Sequence, residues 1–351
     1  MKKPIFLSTL VLSSTGAILL AITAALGLSE LPKERDQKAK EQPFSLRVNV
    51  DLVVLNVTVM DEKGVNITSL KREDFSIYED EVKQEISDFL PVESPFNLVL
   101  VLDTSISTRT SLSLIKKAAS NFTDQLRPAD RIAIAEINFL VRQAQDFTSD
   151  RKVLKRAIQR LMTYPSGGSK IYDGIAEAVR QLQRTGVGRK AVIILSDGME
   201  NSSRIKFEEL RRLLAQADAV LYPITILNKD RQKDQLEDFI RKADHKKPDL
   251  APIIDNAKAS LSVLEEVYQV QTERLQSLAE ETGGKTFLVA NLAELAGEYA
   301  KVAQELRNTF SLAYYSKNKE RDGTMRKVRV KVKNPNYHVR TRTGYFVPQD
   351  Q

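Results

Sequence analysis

Short apolar runs alternate with segments of helical spacing between residues 96 and 307. Continuous apolar runs such as 98–102 and 192–195 are typical of central parallel strands, which are buried on both faces. Segments such as 112–126 and 171–182 repeat apolar residues at intervals of three and four, which predicts amphipathic helices. This alternation predicts an α/β fold with a doubly wound, mostly parallel sheet and helices on both faces.

The segments on either side of this region carry a β pattern. Residues 44–93 contain short alternating runs separated by turns, and within 308–348 valine alternates with Arg and Lys from residue 328 to 332. Each segment is small for an independent hydrophobic core. We therefore expect the two to pair into one small β-sandwich-like unit, with the α/β domain at 96–307 inserted between its halves.

One stretch inside the α/β region breaks the pattern. Residues 228–255 are densely charged and contain two prolines, so we expect an exposed insertion there. Its role, including that of a contact surface, is left open. The apolar residues of 261–278 then have the spacing of a long amphipathic helix that ends at Gly283 and Gly284.

The amino terminus has the pattern of an export or membrane segment. Residues 5–28 carry no charge and follow Met1-Lys2-Lys3. A cleavable signal has an apolar core of about 7–15 residues and a membrane span needs about 20, so residues 1–30 fit either a signal peptide or a membrane anchor. The charged stretch 31–43 is typical of a linker. Because a positive flank stays in the cytoplasm, we expect an exported chain, periplasmic or extracellular, which residues 5–28 anchor to the inner membrane if they are not cleaved.

Composition excludes several kinds of chemistry. The chain has no cysteine and only two histidines, His245 and His338. Disulfides, thiolate metal sites, a cysteine nucleophile and a multi-histidine zinc site are therefore impossible. The formal net charge is +7, but Lys and Arg are interleaved with Asp and Glu, which favours an ordinary solvated surface. We expect no nucleic-acid partner.

Oxygen-bearing side chains stand where two of the predicted strands end and one predicted helix begins. They are Asp103, Ser105, Ser107, Ser169 and Asp197. In an open parallel sheet ligands bind at the carboxyl ends of the strands, and residues i, i+2 and i+4 of an extended loop point to the same side. Carboxylate and hydroxyl oxygens suit a hard cation such as Mg²⁺. Each stretch alone is a common cap or turn, but together they predict a divalent-cation site.

These residues resemble the metal-ion-dependent adhesion site of von Willebrand factor type A domains. Asp103-Thr104-Ser105-Ile106-Ser107 is similar to the Asp-x-Ser-x-Ser element, and Asp197-Gly198 to the late Asp. Ser169 stands where the family usually has Thr, and Ile106 where it often has Gly. The resemblance covers about 96–307. It implies a Rossmann-like fold, a bound Mg²⁺ (with Mn²⁺ or Ca²⁺ as alternatives), and adhesion or assembly rather than enzymatic catalysis.

The flanking segments are similar to exported von Willebrand factor type A-related proteins described from acidobacteria. This resemblance rests on residues 53–59, 70–75 and 328–332, and on the tail at 342–346. It implies export, but it does not define a biochemical role.

Three functions are compatible with the predicted site. We favour a binding module in which Mg²⁺ holds a carboxylate offered by a partner protein. A Mg²⁺-dependent hydrolase of phosphate esters is the second, although the sequence has no evident nucleophile or base beside the acids and no Gly-rich phosphate loop with Lys. A scaffold in which the metal is only structural is the third. Asp173 lies near the site in sequence, either as a residue that supports the ligands from behind or as an ordinary helix N-terminal charge.

Overall fold

The computed structural model describes residues 52–164, 168–186, 188–227, 229–243, 250–347 and 349. The predicted signal or anchor at 1–30 and the linker at 31–43 lie outside these residues. Within the described part of the chain, no helix combines the length and the apolar character that crossing a membrane requires.

A six-stranded sheet forms the centre of the α/β region. Its strands are β5 (Phe96–Asp103), β6 (Arg131–Ile137), β7 (Val141–Thr148), β8 (Arg189–Ser196), β9 (Ala219–Ile226) and β10 (Phe287–Val289). Their order is β10-β9-β8-β5-β6-β7. All neighbours are parallel except β6 and β7, which are antiparallel. The predicted doubly wound, mostly parallel sheet is therefore confirmed.

Seven helices accompany the sheet in the described residues. They are α1 (Leu112–Gln125), α2 (Arg151–Arg160), α3 (Ile171–Gln183), α4 (Phe207–Gln216), α5 (Lys229–Lys242), α6 (Ala251–Glu281) and α7 (Leu295–Arg307). Side chains alternate between the two faces of a strand, and β5 supplies one core with Leu98 and Leu100 and the other with Val99 and Val101. The first core is covered by α1, α2 and α7, and the second by α3, α4 and the end of α6.

The two flanking segments pair with each other. They contain β1 (Leu52–Met60), β2 (Phe75–Glu79), β3 (Val82–Gln84), β4 (Ile86–Leu90), β11 (Thr309–Tyr315), β12 (Met325–Val332), β13 (His338–Arg340) and β14 (Gly344–Phe346). Two four-stranded sheets result, in the orders β13-β1-β11-β4 and β14-β12-β2-β3. Each sheet takes strands from both ends of the chain, and one apolar core is shared between them. The expected β-sandwich-like unit therefore forms from the N- and C-terminal segments together.

Two elements differ from the sequence pattern. The edge strand β7 was not predicted, because most of its residues are polar or partly exposed and it lacks the apolar run of a central strand. The stretch predicted as an exposed insertion, 228–255, contains α5 and the first turn of α6. The long helix begins at Ala251, ahead of the predicted 261–278, since a proline is tolerated in a first helical turn.

The β-sandwich-like unit contacts the amino-terminal edge of the central sheet. Arg189, the first residue of β8, is fully buried and donates hydrogen bonds to the backbone carbonyls of Val92, Ser94 and Leu306. Arg342 donates a 2.6 Å hydrogen bond to the Ala217 carbonyl, just beyond α4. Arg189 begins β8, and Ala217 lies just before β9. The junction is therefore at the starts of these parallel strands, and their carboxyl-terminal ends lie at the opposite edge of the sheet.

Candidate metal site

The loop after β5 gathers the first group of predicted ligands. Asp103 ends the strand and is completely buried. Its Oδ1 accepts a 2.8 Å hydrogen bond from the backbone N–H of Ser105, and its carbonyl accepts one of 3.1 Å from the Thr108 hydroxyl. The Ser105 and Ser107 hydroxyl oxygens are 3.0 Å apart. The turn therefore brings one carboxylate and two hydroxyls to the same place at the carboxyl-terminal edge.

Ser169 reaches this group from the start of α3. Its hydroxyl donates a 3.3 Å hydrogen bond to Asp103 Oδ2. Its backbone N–H donates to Asn201 Oδ1 at 2.9 Å, and its carbonyl accepts from the Asn201 N–H at 3.3 Å. A Cβ added at Gly168 would lie 1.9 Å from Asn201 Oδ1. Glycine at residue 168 therefore allows Asn201 to hold Ser169 against Asp103.

Asp197 follows the neighbouring strand β8 and is 1% exposed. Because β8 pairs with β5 in parallel register, Asp197 and Asp103 leave the sheet side by side. Asp197 Oδ1 accepts a 3.2 Å hydrogen bond from the Met199 N–H, whereas its Oδ2 is buried and has no hydrogen-bond partner among the described residues. Gly198 has a φ of +80°, a conformation that glycine adopts without strain and that turns the chain away from Asp197.

Two buried carboxylates lie next to each other here. Burial, and then the negative charge of Asp197, raise the pKa of Asp103 to about 7. Burial also raises the pKa of Asp197, and the Ser107 hydroxyl and the Met199 N–H offset part of that rise. Raised pKa values mean that the negative charges are poorly compensated by the protein itself.

The donor set fits a hard divalent cation. Two carboxylates and three hydroxyls supply oxygen atoms only, as Mg²⁺ prefers. The buried Asp197 Oδ2 is an acceptor with no donor, which in a native fold calls for a water or an ion. The described residues contain no cluster of three or more His, Cys, Asp or Glu residues suited to a metal, so hydroxyl ligands would be essential. Asp103, Ser105, Ser107, Ser169 and Asp197 are the residues that would hold the cation.

Ser196 is a site residue that sequence reasoning missed. Its buried hydroxyl donates a 2.6 Å hydrogen bond to Asp103 Oδ2 and accepts one of 3.1 Å from the Gly198 N–H. It therefore links the two acidic loops. The signal available in the sequence was a hydroxyl directly after the apolar run of β8, adjacent to Asp197.

Asp173 contacts the loop after β8 rather than the predicted ligands. Its carboxylate accepts hydrogen bonds of 3.0 Å from the N–H groups of Arg204 and Ile205, and it forms a 3.4 Å ion pair with Lys170. Glu200 supports the same region by accepting a 2.9 Å hydrogen bond from the Tyr172 N–H. Asp173 and Glu200 thus fasten the start of α3 to the loop that carries Asn201.

The central domain matches a known protein family. Residues 97–266 match the family model of the von Willebrand factor type A domain, and the chain contains a domain of this family. Domains of this type typically serve adhesion or assembly. β10 and α7 lie beyond the matched segment but belong to the same sheet and helical layer.

Several solved structures are similar to this chain. A von Willebrand factor type A protein from Catenulispora acidiphila is 12% identical with a TM-score of 0.46, and the match covers 78% of this chain and 72% of that one. The vWF domain of the type V pili tip protein Mfa5 from Porphyromonas gingivalis is 14% identical with a TM-score of 0.40, covering 61% and 95%. Proximal thread matrix protein 1 from the mussel byssus, solved with a zinc-occupied MIDAS motif, is 15% identical with a TM-score of 0.45, covering 65% and 49%. No curated protein sequence matches the chain at a significant level.

Proposed function

We propose that this protein binds a partner protein through a divalent cation, Mg²⁺ in the first instance. The cation is held by Asp103, Ser105, Ser107, Ser169 and Asp197, and an acidic side chain of the partner completes its coordination. The role is adhesion or assembly rather than catalysis. We also propose that the chain is exported, because its first residues have the pattern of a signal peptide or anchor.

The observation that carries this proposal is the pair of buried acids. Asp103 and Asp197 are 0% and 1% exposed, and Asp197 Oδ2 has no hydrogen-bond donor. Bringing two carboxylates together out of water is costly unless positive charge accompanies them. A divalent cation compensates both charges and gives the unpartnered oxygen a role.

The hydroxyl ligands explain why a partner carboxylate is expected. Three of the five side chains are neutral, so the ligands carry only the two negative charges that Mg²⁺ balances, and no excess negative charge repels a further anionic ligand. Mg²⁺ prefers about six oxygen ligands, and five side chains leave room for another ligand. Ile106, in the middle of the first loop, is 43% exposed, so the loop is accessible at the sheet edge. A carboxylate is the oxygen ligand that such a cation attracts most strongly.

Calorimetry on the full-length chain tests the metal site. We expect one Mg²⁺ or Mn²⁺ to bind per chain, and binding to be lost in Asp103→Asn, which keeps the shape of the side chain but removes its charge. The matched control is Asp130→Asn, since Asp130 is also a buried acid but accepts 2.8 Å hydrogen bonds from the Phe96 and Arg127 N–H groups, away from the site. No metal binding to the wild type would overturn the proposed function.

The partner and the export require separate tests. Binding of an envelope protein that survives EDTA or the Asp103→Asn substitution would leave the metal a structural role only. Phosphoester hydrolysis that disappears in Asp197→Asn would favour the hydrolase instead. Amino-terminal sequencing of the chain from membrane and soluble envelope fractions distinguishes a retained anchor from a cleaved signal, and recovery from the cytoplasm alone would contradict export.

A further inference from the structure

The last third of α6 lies against the loop that follows Asp197. Gln271 Nε2 donates a 3.2 Å hydrogen bond to the Glu200 carbonyl, and the Tyr172 hydroxyl donates one of 3.4 Å to Gln271 Oε1. A Cβ added at Gly198 would lie 4.0 Å from Leu275 Cδ1. Residues 271 and 275 therefore lie on the face of α6 that is turned toward the metal site.

Tyr268 lies on this same face, three residues before Gln271 and seven before Leu275. Residues at these intervals are neighbours on one side of a helix. The Tyr268 side chain is 4% exposed, and in the part of the chain that the structure describes its hydroxyl has no hydrogen-bond partner. Burial, and then the negative charge of Asp197, raise the pKa of Tyr268. The phenol is therefore buried on the side of α6 that faces the metal site.

Two buried polar atoms without partners thus lie in one region, Tyr268 Oη and Asp197 Oδ2. No direct hydrogen bond joins them. Buried polar groups in native proteins are almost always satisfied by protein, water or an ion. A water molecule bound to a cation has two O–H groups to donate, and these two oxygens are acceptors that lack a donor.

We propose that Tyr268 is an additional residue of the metal site, where its hydroxyl oxygen accepts a hydrogen bond from a water, shared with Asp197, that takes the cation's sixth position when no partner carboxylate is bound. Tyr268 is then a positioning residue behind the ligands. It lies two residues past the segment that matches the family model. This inference rests on the proposed function, because it assigns a role to Tyr268 only if the cation binds.

Tyr299 provides a matched control. It is a fully buried phenol whose hydroxyl also lacks a partner. It packs in the other core against Phe122, with ring centroids 5.0 Å apart, and burial alone raises its pKa. Tyr299→Phe therefore removes the same atom from an equally buried place without an acidic neighbour.

The first measurement is calorimetric titration of full-length wild type, Tyr268→Phe and Tyr299→Phe with Mg²⁺ and Mn²⁺. Removing a residue behind the ligands typically weakens metal binding by about 10–100-fold, and we expect about tenfold for Tyr268→Phe and no change for Tyr299→Phe. The melting temperature of metal-free Tyr268→Phe should not fall, because the lost hydroxyl makes no hydrogen bond within the protein. If Tyr268 were purely structural, Tyr268→Phe would not weaken metal binding without also changing the melting temperature.

The second measurement uses Tb³⁺, an oxygen-seeking ion whose luminescence is sensitised by nearby aromatic side chains. The chain has no tryptophan and ten tyrosines, so sensitised emission reports tyrosine close to the ion. We expect most of this emission to disappear in Tyr268→Phe and to persist in Tyr299→Phe, with Tyr172 supplying the remainder.

The outcomes separate the two proposals. If the wild type binds metal, Asp103→Asn does not, and Tyr268→Phe matches Tyr299→Phe in affinity and emission, the inference about Tyr268 is wrong and the metal site stands. If the wild type binds no metal, both are wrong. Weaker binding and lost emission in Tyr268→Phe alone support the assignment.

Discussion

Charged side chains are buried at both edges of the central sheet, but the two edges differ in how the protein compensates the charge. At the amino-terminal edge, Arg189 is fully buried and donates hydrogen bonds to backbone carbonyls, one of them Leu306 at the end of α7. At the carboxyl-terminal edge, Asp103 and Asp197 are equally buried, yet Asp197 Oδ2 has no donor. The Arg189 guanidinium has three carbonyl partners, with only its Nε lacking one, whereas among the described residues no cationic side chain pairs with Asp103 or Asp197.

This difference separates a structural from a functional use of buried charge. Carbonyls at helix carboxyl ends carry partial negative charge and stabilise a nearby cation, so Arg189 joins the β-sandwich-like unit to the α/β domain without any other component. The Arg189 guanidinium also lies 3.9 Å from the centre of the Phe96 ring. No equivalent arrangement serves the acids, because their hydrogen bonds come from neutral hydroxyl and N–H groups. The acidic edge is therefore the one that needs a ligand.

The largest expected effect is on the junction. Arg189→Met removes the side-chain donor to the Ser94 and Leu306 carbonyls, whereas the Val92 carbonyl still accepts from Arg127. Each unsatisfied buried group costs about 1–3 kcal/mol. We expect a loss of about 3 kcal/mol in the free energy of unfolding, even though burial lowers the pKa of Arg189 to about 9 and makes the charge itself costly. Urea denaturation of metal-free protein measures this.

Arg156→Met is the matched control, because Arg156 is exposed on α2 and surface changes usually stay within about 0.5 kcal/mol. Equal stability of Arg189→Met and Arg156→Met would contradict a structural role for the buried guanidinium. Metal affinity should be unchanged in both variants, since the two edges are independent.

The sheet was predictable because its central strands are buried on both faces and appear as apolar runs in the sequence. The junction was not. Arg189 precedes such a run and has the pattern of an ordinary exposed residue at a strand start, because its burial depends on Val92 and Leu306 from distant segments. The edge strand β7 escaped prediction for a related reason, as one edge and much of one face are exposed and its polar residues reflect that.

The residues of the candidate site also divide into those that the sequence could predict and those that it could not. Side chains that directly follow the strands, such as Asp103 and Asp197, could be predicted, because parallel strands bring their carboxyl ends together. Their proposed role as metal ligands stays a prediction until metal binding is measured. Asn201 and Tyr268 could not be predicted, since their relation to the site depends on how a loop folds back and on which face α6 turns inward. Hydrogen bonds and unpartnered atoms reveal such residues, whereas spacing along the chain does not.

A smaller effect is expected from Gly168→Ala, which tests how the acidic edge is organised. The new Cβ would lie 1.9 Å from Asn201 Oδ1 and 2.1 Å from Ser202 Oγ. Both atoms end side chains that can move, so stability should change little. Moving Asn201 Oδ1, however, removes the acceptor that holds the Ser169 N–H at 2.9 Å. We expect Mg²⁺ affinity to fall about tenfold, as for other residues behind metal ligands.

Gly297→Ala is the control for this substitution. Gly297 lies in α7 and an added Cβ meets nothing within 4 Å. Calorimetry should show unchanged Mg²⁺ affinity, and stability should rise by about 0.5–1 kcal/mol, as expected for alanine in a helix interior. Unaltered affinity in Gly168→Ala would mean that Asn201 does not position Ser169 for the metal.

The acidic edge also predicts a pH dependence with a defined sign. The ordinary pKa of Asp103 is 3.8, and burial and Asp197 raise it to about 7 in the folded protein. Between these values the folded state binds more protons than the unfolded state, so the metal-free protein loses stability as pH rises from about 4 to about 7. Asp103→Asn should remove this part of the pH dependence, which chemical denaturation at several pH values in EDTA measures.

Metal binding favours the ionised form of Asp103, because a cation must displace the proton from this carboxyl group. With a pKa near 7, proton competition should make Mg²⁺ binding about tenfold weaker at pH 6 than at pH 8. Asp197 also faces Asp103 and has a raised pKa, so its proton adds to this competition, whereas the hydroxyls of Ser169 and Ser196 do not titrate in this range. Calorimetry in buffers of different ionisation enthalpy reports the released proton directly. A pH-independent affinity with no proton release would mean that Asp103 is already ionised in the metal-free protein. The protein itself would then compensate the charge of Asp103, just as backbone carbonyls compensate the charge of Arg189 at the opposite edge.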